Sequence, residues 1–231
     1  MKDEPKIIVS KDGPYLVSGG VPLSIQTIVP NEKGFSWDWE QGRTLTKASK
    51  YKLCRCGHSK NKPFCDDTHK TIAFEGEENL SRGPSLGNAR RYDGPTLLLQ
   101  DTELLCAHAR FCLAEGSVWK LIKNSDNPDA RELTTREANH CPSGRLVVLD
   151  KGTQKEIEQD LPPSIGVVED PLRKCSGPLW VRGRIRIEFE DGVPYAIRNR
   201  VTLCRCGVSS NKPFCNGSHM TIKFQDGLTK F

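Results

Sequence analysis

The chain has 231 residues, of which 36% are hydrophobic and 7% aromatic, and its 34 Lys+Arg against 29 Asp+Glu give a formal charge of +5. That length holds one large domain or two to three small ones, and the low aromatic content points to small modules stabilised partly by bound metal rather than one thick core. The mildly basic balance comes without a dense Lys/Arg block or interleaved aromatics, which argues against nucleic-acid binding.

In chain order, "MKDEPKIIVSKDGP" is charged from the start and has no apolar run of the kind a signal peptide needs. No later segment reaches the ~18 apolar residues of a membrane span. The expectation is a soluble, cytoplasmic chain with no membrane partner. Ten cysteines in a reducing compartment are then expected as metal ligands rather than disulfides.

Next comes a repeat. "GPYLVSGGVPLSIQ" (13–26) aligns with "GPLWVRGRIRIEFE" (177–190), and "YKLCRCGHSKNKPFCDDTHKTIAF" (51–74) aligns with "VTLCRCGVSSNKPFCNGSHMTIKF" (201–224). The identities run through "NKPFC" and "TI.F", outside the cysteines. Alternation such as Ile185, Ile187, Phe189 predicts half-buried strands, and "EDGVP" (190–194) predicts a turn. Each copy thus reads as a short β-hairpin unit feeding a ligand loop. Two such sheets are expected to pack as an intramolecular pseudo-dimer, since neither buries much alone. The first copy carries the insert "TIVPNEKGFSWDWEQGR", where the second has only "DGVPYAIRNR". The fold class expected is α+β, mostly small β. The divisions expected are repeat one at 1–76, a Gly/Pro/Ser-rich linker at 77–87, an inserted module at 88–168 and repeat two at 169–231.

The repeated loops hold Cys54, Cys56, Cys65 and His69, then Cys204, Cys206, Cys215 and His219, both spaced C-x-C-x8-C-x3-H. Zinc accepts a Cys3His set, but its knuckles space the first pair by two to four residues. An iron–sulfur cluster is a larger object that takes thiolates with occasional histidine. These loops resemble the CDGSH (NEET) family of [2Fe–2S] proteins, whose signature is C-x-C-x2-[ST]-x3-P-x-C-D-G-[SAT]-H. Ser59, Pro63 and Asp66 in the first copy, and Ser209, Pro213, Gly217 and Ser218 in the second, match it beside the eight ligand positions. Asp67 stands where glycine is usual and Asn216 where aspartate is usual. Aspartate tolerates left-handed backbone better than most residues; asparagine keeps size and local hydrogen bonding but drops a charge. The resemblance implies redox-active clusters that can be passed to acceptor proteins.

Three thiolates on a cluster core of about +2 leave the site near −1 rather than −2, which favours reduction. Arg55, Lys60, Lys62, Arg205 and Lys212 add positive potential. Histidine, with an unbound pKa of about 6.5, lets protons compete with iron. His58 has only Val208 opposite it in copy two and is expected to face solvent.

The inserted module carries "CAHARFC" (106–112) and "CPSGRL" (141–146). A bacterial ferredoxin frame is C-x2-C-x2-C plus a distant Cys-Pro. In that frame Cys106, Cys112 and Cys141 are the thiolates and Ala109 fills the middle position, which suits a [3Fe–4S] cluster. A [4Fe–4S] cluster needs a fourth ligand, for which His108, water or Cys175 are the candidates. Thr134-x-x-Glu137 reads as a capping box opening a short helix that delivers Cys141. This segment resembles the divergent single-cluster ferredoxin domains that occur beside CDGSH motifs. Cys175 itself is expected to be a buried, inert thiol.

No nucleophile–base set and no phosphate-cradling loop appears, so an enzyme is disfavoured. The expected function is electron transfer by two [2Fe–2S] clusters and one [3Fe–4S] or [4Fe–4S] cluster, in a monomer that meets a redox partner or a cluster-acceptor protein. A pH- or redox-sensitive cluster carrier is the alternative, and a structural zinc module a weaker one.

Overall fold

The computed structural model describes residues 4–77 and 89–230. The linker expected at 77–87 lies outside these residues except for Glu77. The first repeat supplies β1 (Lys6–Val9), β2 (Tyr15–Ser18), β3 (Leu23–Pro30), β4 (Ser36–Thr46) and β5 (Lys50–Leu53). The middle supplies β6 (Arg90–Asp93), β7 (Leu97–Asp101), α1 (Val118–Leu121), α2 (Pro128–His140) and β8 (Leu146–Asp150). The second repeat supplies β9 (Ser164–Asp170), β10 (Cys175–Arg182), β11 (Arg186–Phe189), β12 (Arg200–Leu203) and α3 (Ser218–Thr221). The fold is α+β and mostly small β.

Period-two patterning makes the strands. Ile7 and Val9 of β1, and Tyr15 and Val17 of β2, turn inward while their neighbours are only half-buried. The sheets are shared between the repeats. One runs β11-β1-β2-β5 and the other β12-β10-β9-β3-β4. The third strand of each repeat therefore leaves its own hairpin and pairs in parallel with the first strand of the other: β11 with β1, and β3 with β9. The hairpin read from sequence is opened out and completed across the pseudo-dimer. The boundary drawn at 168/169 also falls inside β9, whose residues from Ser164 on are bonded to β10 and, through Ile165–Glu169, to β3. Repeat two thus starts by Ser164.

Between these sheets lies the main core, with Ile7, Val9, Tyr15, Val17 and Leu23 meeting Ile165, Val167, Leu179, Val181 and Leu203. Each such side chain contributes about 1.5–3 kcal/mol on full burial, and half of this core is missing from either repeat alone.

The middle module is a three-stranded sheet, β6-β7-β8, covered by α1 and α2 over Leu97, Leu99, Val118, Ile122, Ala138, Leu146 and Val148. The capping box expected at Thr134 is not where α2 starts. Asn127 caps it, accepting from the N–H groups of Asp129 and Ala130, and Pro128 takes the first helical position. Thr134 is inside the helix, its hydroxyl donating to the Ala130 carbonyl at 2.7 Å. Glu137 instead accepts from the Glu115 N–H at 2.7 Å.

Two of the contacts that dock this module come from β4 and β12. The first-copy insert forms β4, and its Trp39 packs against Phe111 (4.8 Å between centroids) and Trp180 (4.5 Å). Trp39 also donates to the His140 carbonyl at the end of α2. On the other side Arg200 of β12, buried completely, donates to the carbonyls of Ala138, Asn139, Cys141 and Leu146 and pairs with Glu158. One guanidinium thus satisfies two of the open carbonyls at the C-terminus of α2, and Trp39 a third.

Candidate metal centre

The two repeated loops have the same backbone. Leu53 bridges Phe64 and Leu203 bridges Phe214. Cys54 N–H donates to Pro63 O and Cys65 N–H to Lys52 O; Cys204 and Cys215 repeat this with Pro213 and Thr202. That small ladder brings the third cysteine of each loop back to the first. Ser59 and Ser209 brace the returning strand, each hydroxyl donating to the next phenylalanine carbonyl at 2.6 and 2.7 Å.

In each loop the four expected ligands stand as two pairs. Cys54 and Cys56 have Sγ atoms 3.7 Å apart, and Cys65 Sγ is 3.4 Å from His69 Nδ1. Cys204 and Cys206 are again 3.7 Å apart, and Cys215 is 3.4 Å from His219 Nδ1. Those separations are near the edge of a tetrahedron around a metal with bonds of about 2.0–2.3 Å. Among the described residues, the one group of three or more His, Cys, Asp and Glu donors all within 4.8 Å of one another is Cys65, Asp67 and His69, so Cys54 and Cys56 stand apart from it. Each pair by itself has the spacing of two ligands on one metal atom.

In each loop the first pair of thiols is split, one held down and the other pushed up. The hydrogen bond from Cys56, aided by the Ser59 and Gly57 N–H groups and opposed by burial, pulls the Cys54 thiol down to about 6. Cys204 is pulled to about 6 in the same way by Cys206. The partner thiols, Cys56 and Cys206, are pushed up by that shared proton and by burial. Metal binding would displace these protons.

The departures from the family signature are accommodated. Asp67 adopts φ +68°, the left-handed region, where Gly217 has φ +86°. Asn216 accepts from the Ser218 N–H and hydroxyl just as Asp66 accepts from Thr68.

The two arginines expected to add positive potential, Arg55 and Arg205, are buried. Arg55 donates to the carbonyls of Ser10 and Gly76, and Arg205 to Gly177 and Val168. Arg205 also pairs with Glu169 at 3.0 Å and with Asp226. His58 is exposed, as expected.

In the middle module Cys106, Cys112 and Cys141 are half-buried around a small cavity that His108, Phe111, Pro142 and Arg145 also line. Cys112 is pushed up to about 12, mainly by burial and then by the nearby Cys141 and Cys106. Three thiols gathered around one void suit a cluster with three thiolate ligands. His108, with φ +57°, lies across the second loop: a Cβ on Gly217 would stand 2.1 Å from His108 Cδ2. Cys175 is completely buried and pushed up to about 11 by burial, away from this cavity.

Sequence reasoning missed three positioning residues: Arg200, Trp39 and Tyr15, whose hydroxyl donates to the carbonyls of Cys204 and Pro213 in the opposite repeat. Only the length of the first-copy insert hinted at one of them. The Asn127–Pro128 start signal of α2 was available and outranks Thr134.

No helix among the described residues is long and apolar enough to cross a membrane. A family model described as an iron-binding zinc finger of CDGSH type matches residues 12–70 and 176–220. A second, described as a divergent 4Fe-4S mono-cluster, matches residues 92–151. No curated protein and no solved structure matches the chain. The chain thus carries two regions that match the CDGSH-type model, flanking one that matches the divergent 4Fe-4S mono-cluster model.

Proposed function

We propose that this is an electron-transfer protein with two [2Fe–2S] sites, held by Cys54, Cys56, Cys65, His69 and by Cys204, Cys206, Cys215, His219. A third site at Cys106, Cys112 and Cys141 holds a [3Fe–4S] or [4Fe–4S] cluster. When bound, each cluster supplies a site that gains or loses one electron.

The observation that carries this reading is the order of the ligand loops. A Cβ on Gly57 would meet Cys206 O at 2.4 Å and one on Gly207 would meet Cys56 O at 2.3 Å. The two CDGSH loops therefore touch backbone to backbone. The second loop also touches the middle module, through His108 on Gly217 and through Asn211, which donates to Leu104 O at 2.7 Å. The loops lie in series, with the C-terminal one between the other two. A cluster carrier does not need a third site, nor that order. The chain's part is to hold each donor set rigid and to exclude water with Arg55, Arg205 and the phenylalanines beside them.

A cluster-carrier role is the second reading, favoured by the half-buried Cys65 and the exposed Asp66 and Asp67. A reductive titration under anaerobic conditions separates the two. Electron transfer requires about three reversible one-electron steps per chain; loss of colour on reduction and reoxidation would favour the carrier. Both halves of the pseudo-dimer lie in one chain, so sedimentation should give a monomer, and an obligate dimer would contradict that arrangement.

A further inference from the structure

The two CDGSH loops have the same ligand set and the same backbone, yet they differ sharply in cover. In the first loop Asn61, Asp66 and Asp67 are exposed and Cys65 is half-buried. In the second, Asn211, Cys215 and Gly217 are buried and Asn216 is half-buried. The difference is made by the inserted module. Leu104 O takes the Asn211 amide, Leu105 is buried in the core that holds Phe214, and the His108 ring lies across Gly217.

His108 is held there by its own loop. His108 and Arg110 both have left-handed backbone, φ +57° and +67°. The Arg110 guanidinium donates to the His108 carbonyl at 2.9 Å and forks onto both oxygens of Asp170, at 2.8 and 3.1 Å. Asp170 ends β9 of the second repeat, so this clamp fixes the loop to the repeat it covers. Glycine at 217 is required by this arrangement, because any side chain would collide with the ring. The first loop carries Asp67 at the matching position, with its side chain about half exposed.

We propose that the inserted module is a cap on the C-terminal CDGSH loop, with His108 as its positioning residue, and that exchange with the surrounding solution passes through the N-terminal loop. The inference rests on the proposed function insofar as both loops hold [2Fe–2S] clusters. It adds that chemically equal sites are unequal in access: one serves external partners and the other is reserved for exchange within the chain. Opening of a covered loop requires local unfolding, which an open loop does not.

The test is chelator-driven loss of iron at constant alkaline pH from the fully loaded chain. Samples are withdrawn at intervals, reduced, and read by the [2Fe–2S] EPR signal. The signal should decay in two phases of equal amplitude, the slower by roughly tenfold or more. Gly217→Asp, which copies the N-terminal loop, and His108→Ala should each speed the slow phase alone, and His108→Phe, which keeps a planar ring, should restore it. Gly217 lies outside the middle module, so iron in the middle site should survive Gly217→Asp. Decay of both clusters in one phase, or a slow phase untouched by Gly217→Asp and His108→Ala, would overturn the cap. Loaded protein lacking any [2Fe–2S] signal would instead take down the reading beneath it.

Discussion

The carbonyl oxygen of Cys206 lies 2.4 Å from where a Cβ on Gly57 would stand, and Gly57 has φ +80°. Gly207 repeats the relation with the Cys56 carbonyl at 2.3 Å. The Cys56 and Cys206 peptides are thus each packed on a glycine of the other loop. Gly57→Ala or Gly207→Ala forces both the collision and a disfavoured backbone, at roughly 2 kcal/mol or more. Each single substitution should therefore disturb both [2Fe–2S] signals and lower the thermal midpoint of the loaded protein. A change confined to the substituted loop would show that the loops are independent.

Arg200 should matter more to the middle site than to its own repeat. Its guanidinium serves four carbonyls at the end of α2 and after it, including that of Cys141. Arg200→Met takes this donor from the carbonyls and leaves Glu158 with its Asn199 contact, a loss of about 3 kcal/mol for a partly buried pair. The expected outcome is loss of the middle cluster's EPR signal at temperatures where the two [2Fe–2S] signals persist.

Much of the site was legible in sequence and much of the fold was not, for one physical reason. Each CDGSH donor set falls within a single short loop, so spacing and turn chemistry expose it; the 3.7 and 3.4 Å pairs are formed by residues close in the chain. The pairing of β11 with β1 and of β3 with β9 joins strands far apart in sequence. Alternation marks Ile7 and Ile187 as strand residues but carries no record of their partners. The same limit hid the contact of His108 with Gly217 in another module, for sequence marked His108 only as a candidate ligand.

Glu169, Arg205 and Asp226 form a buried cluster with one cation and two carboxyls. Burial pushes Glu169 up to about 7, with Asp226 adding to the shift and Arg205 opposing it. At Asp226 burial also opposes the charge, but Arg205 outweighs it and holds that carboxyl below its usual range. Arg205 thus favours the charge on Asp226, while Glu169 is held above its usual range despite its 3.0 Å contact. Between an unfolded value of 4.5 and a folded value of about 7 the native state binds the extra proton, so stability falls as pH rises through that window. The fall is at most about 3 kcal/mol. Glu169→Gln should flatten it, so that unfolding midpoints at pH 5 and pH 8 draw together. A wild-type slope retained in the variant would assign the dependence to another group.

Replacing the histidine ligand should reverse two properties at once. His219→Cys adds a thiolate, raises the negative charge of the C-terminal site by one, and removes the imidazole for which protons compete. That site should then show a lower reduction potential and slower loss of its EPR signal at mildly acidic pH. Unchanged acid lability would remove His219 from the ligand set.

The central claim is that one chain holds three iron–sulfur sites. The most direct measurement is total iron, acid-labile sulfide and zinc per chain in anaerobically purified protein, with low-temperature EPR before and after dithionite. The account predicts about seven to eight irons with about eight sulfides, and either an oxidised [3Fe–4S] signal or a reduced [4Fe–4S] signal beside the [2Fe–2S] pair. About four irons would leave the CDGSH pair alone, and a colourless, zinc-loaded protein would contradict the account outright.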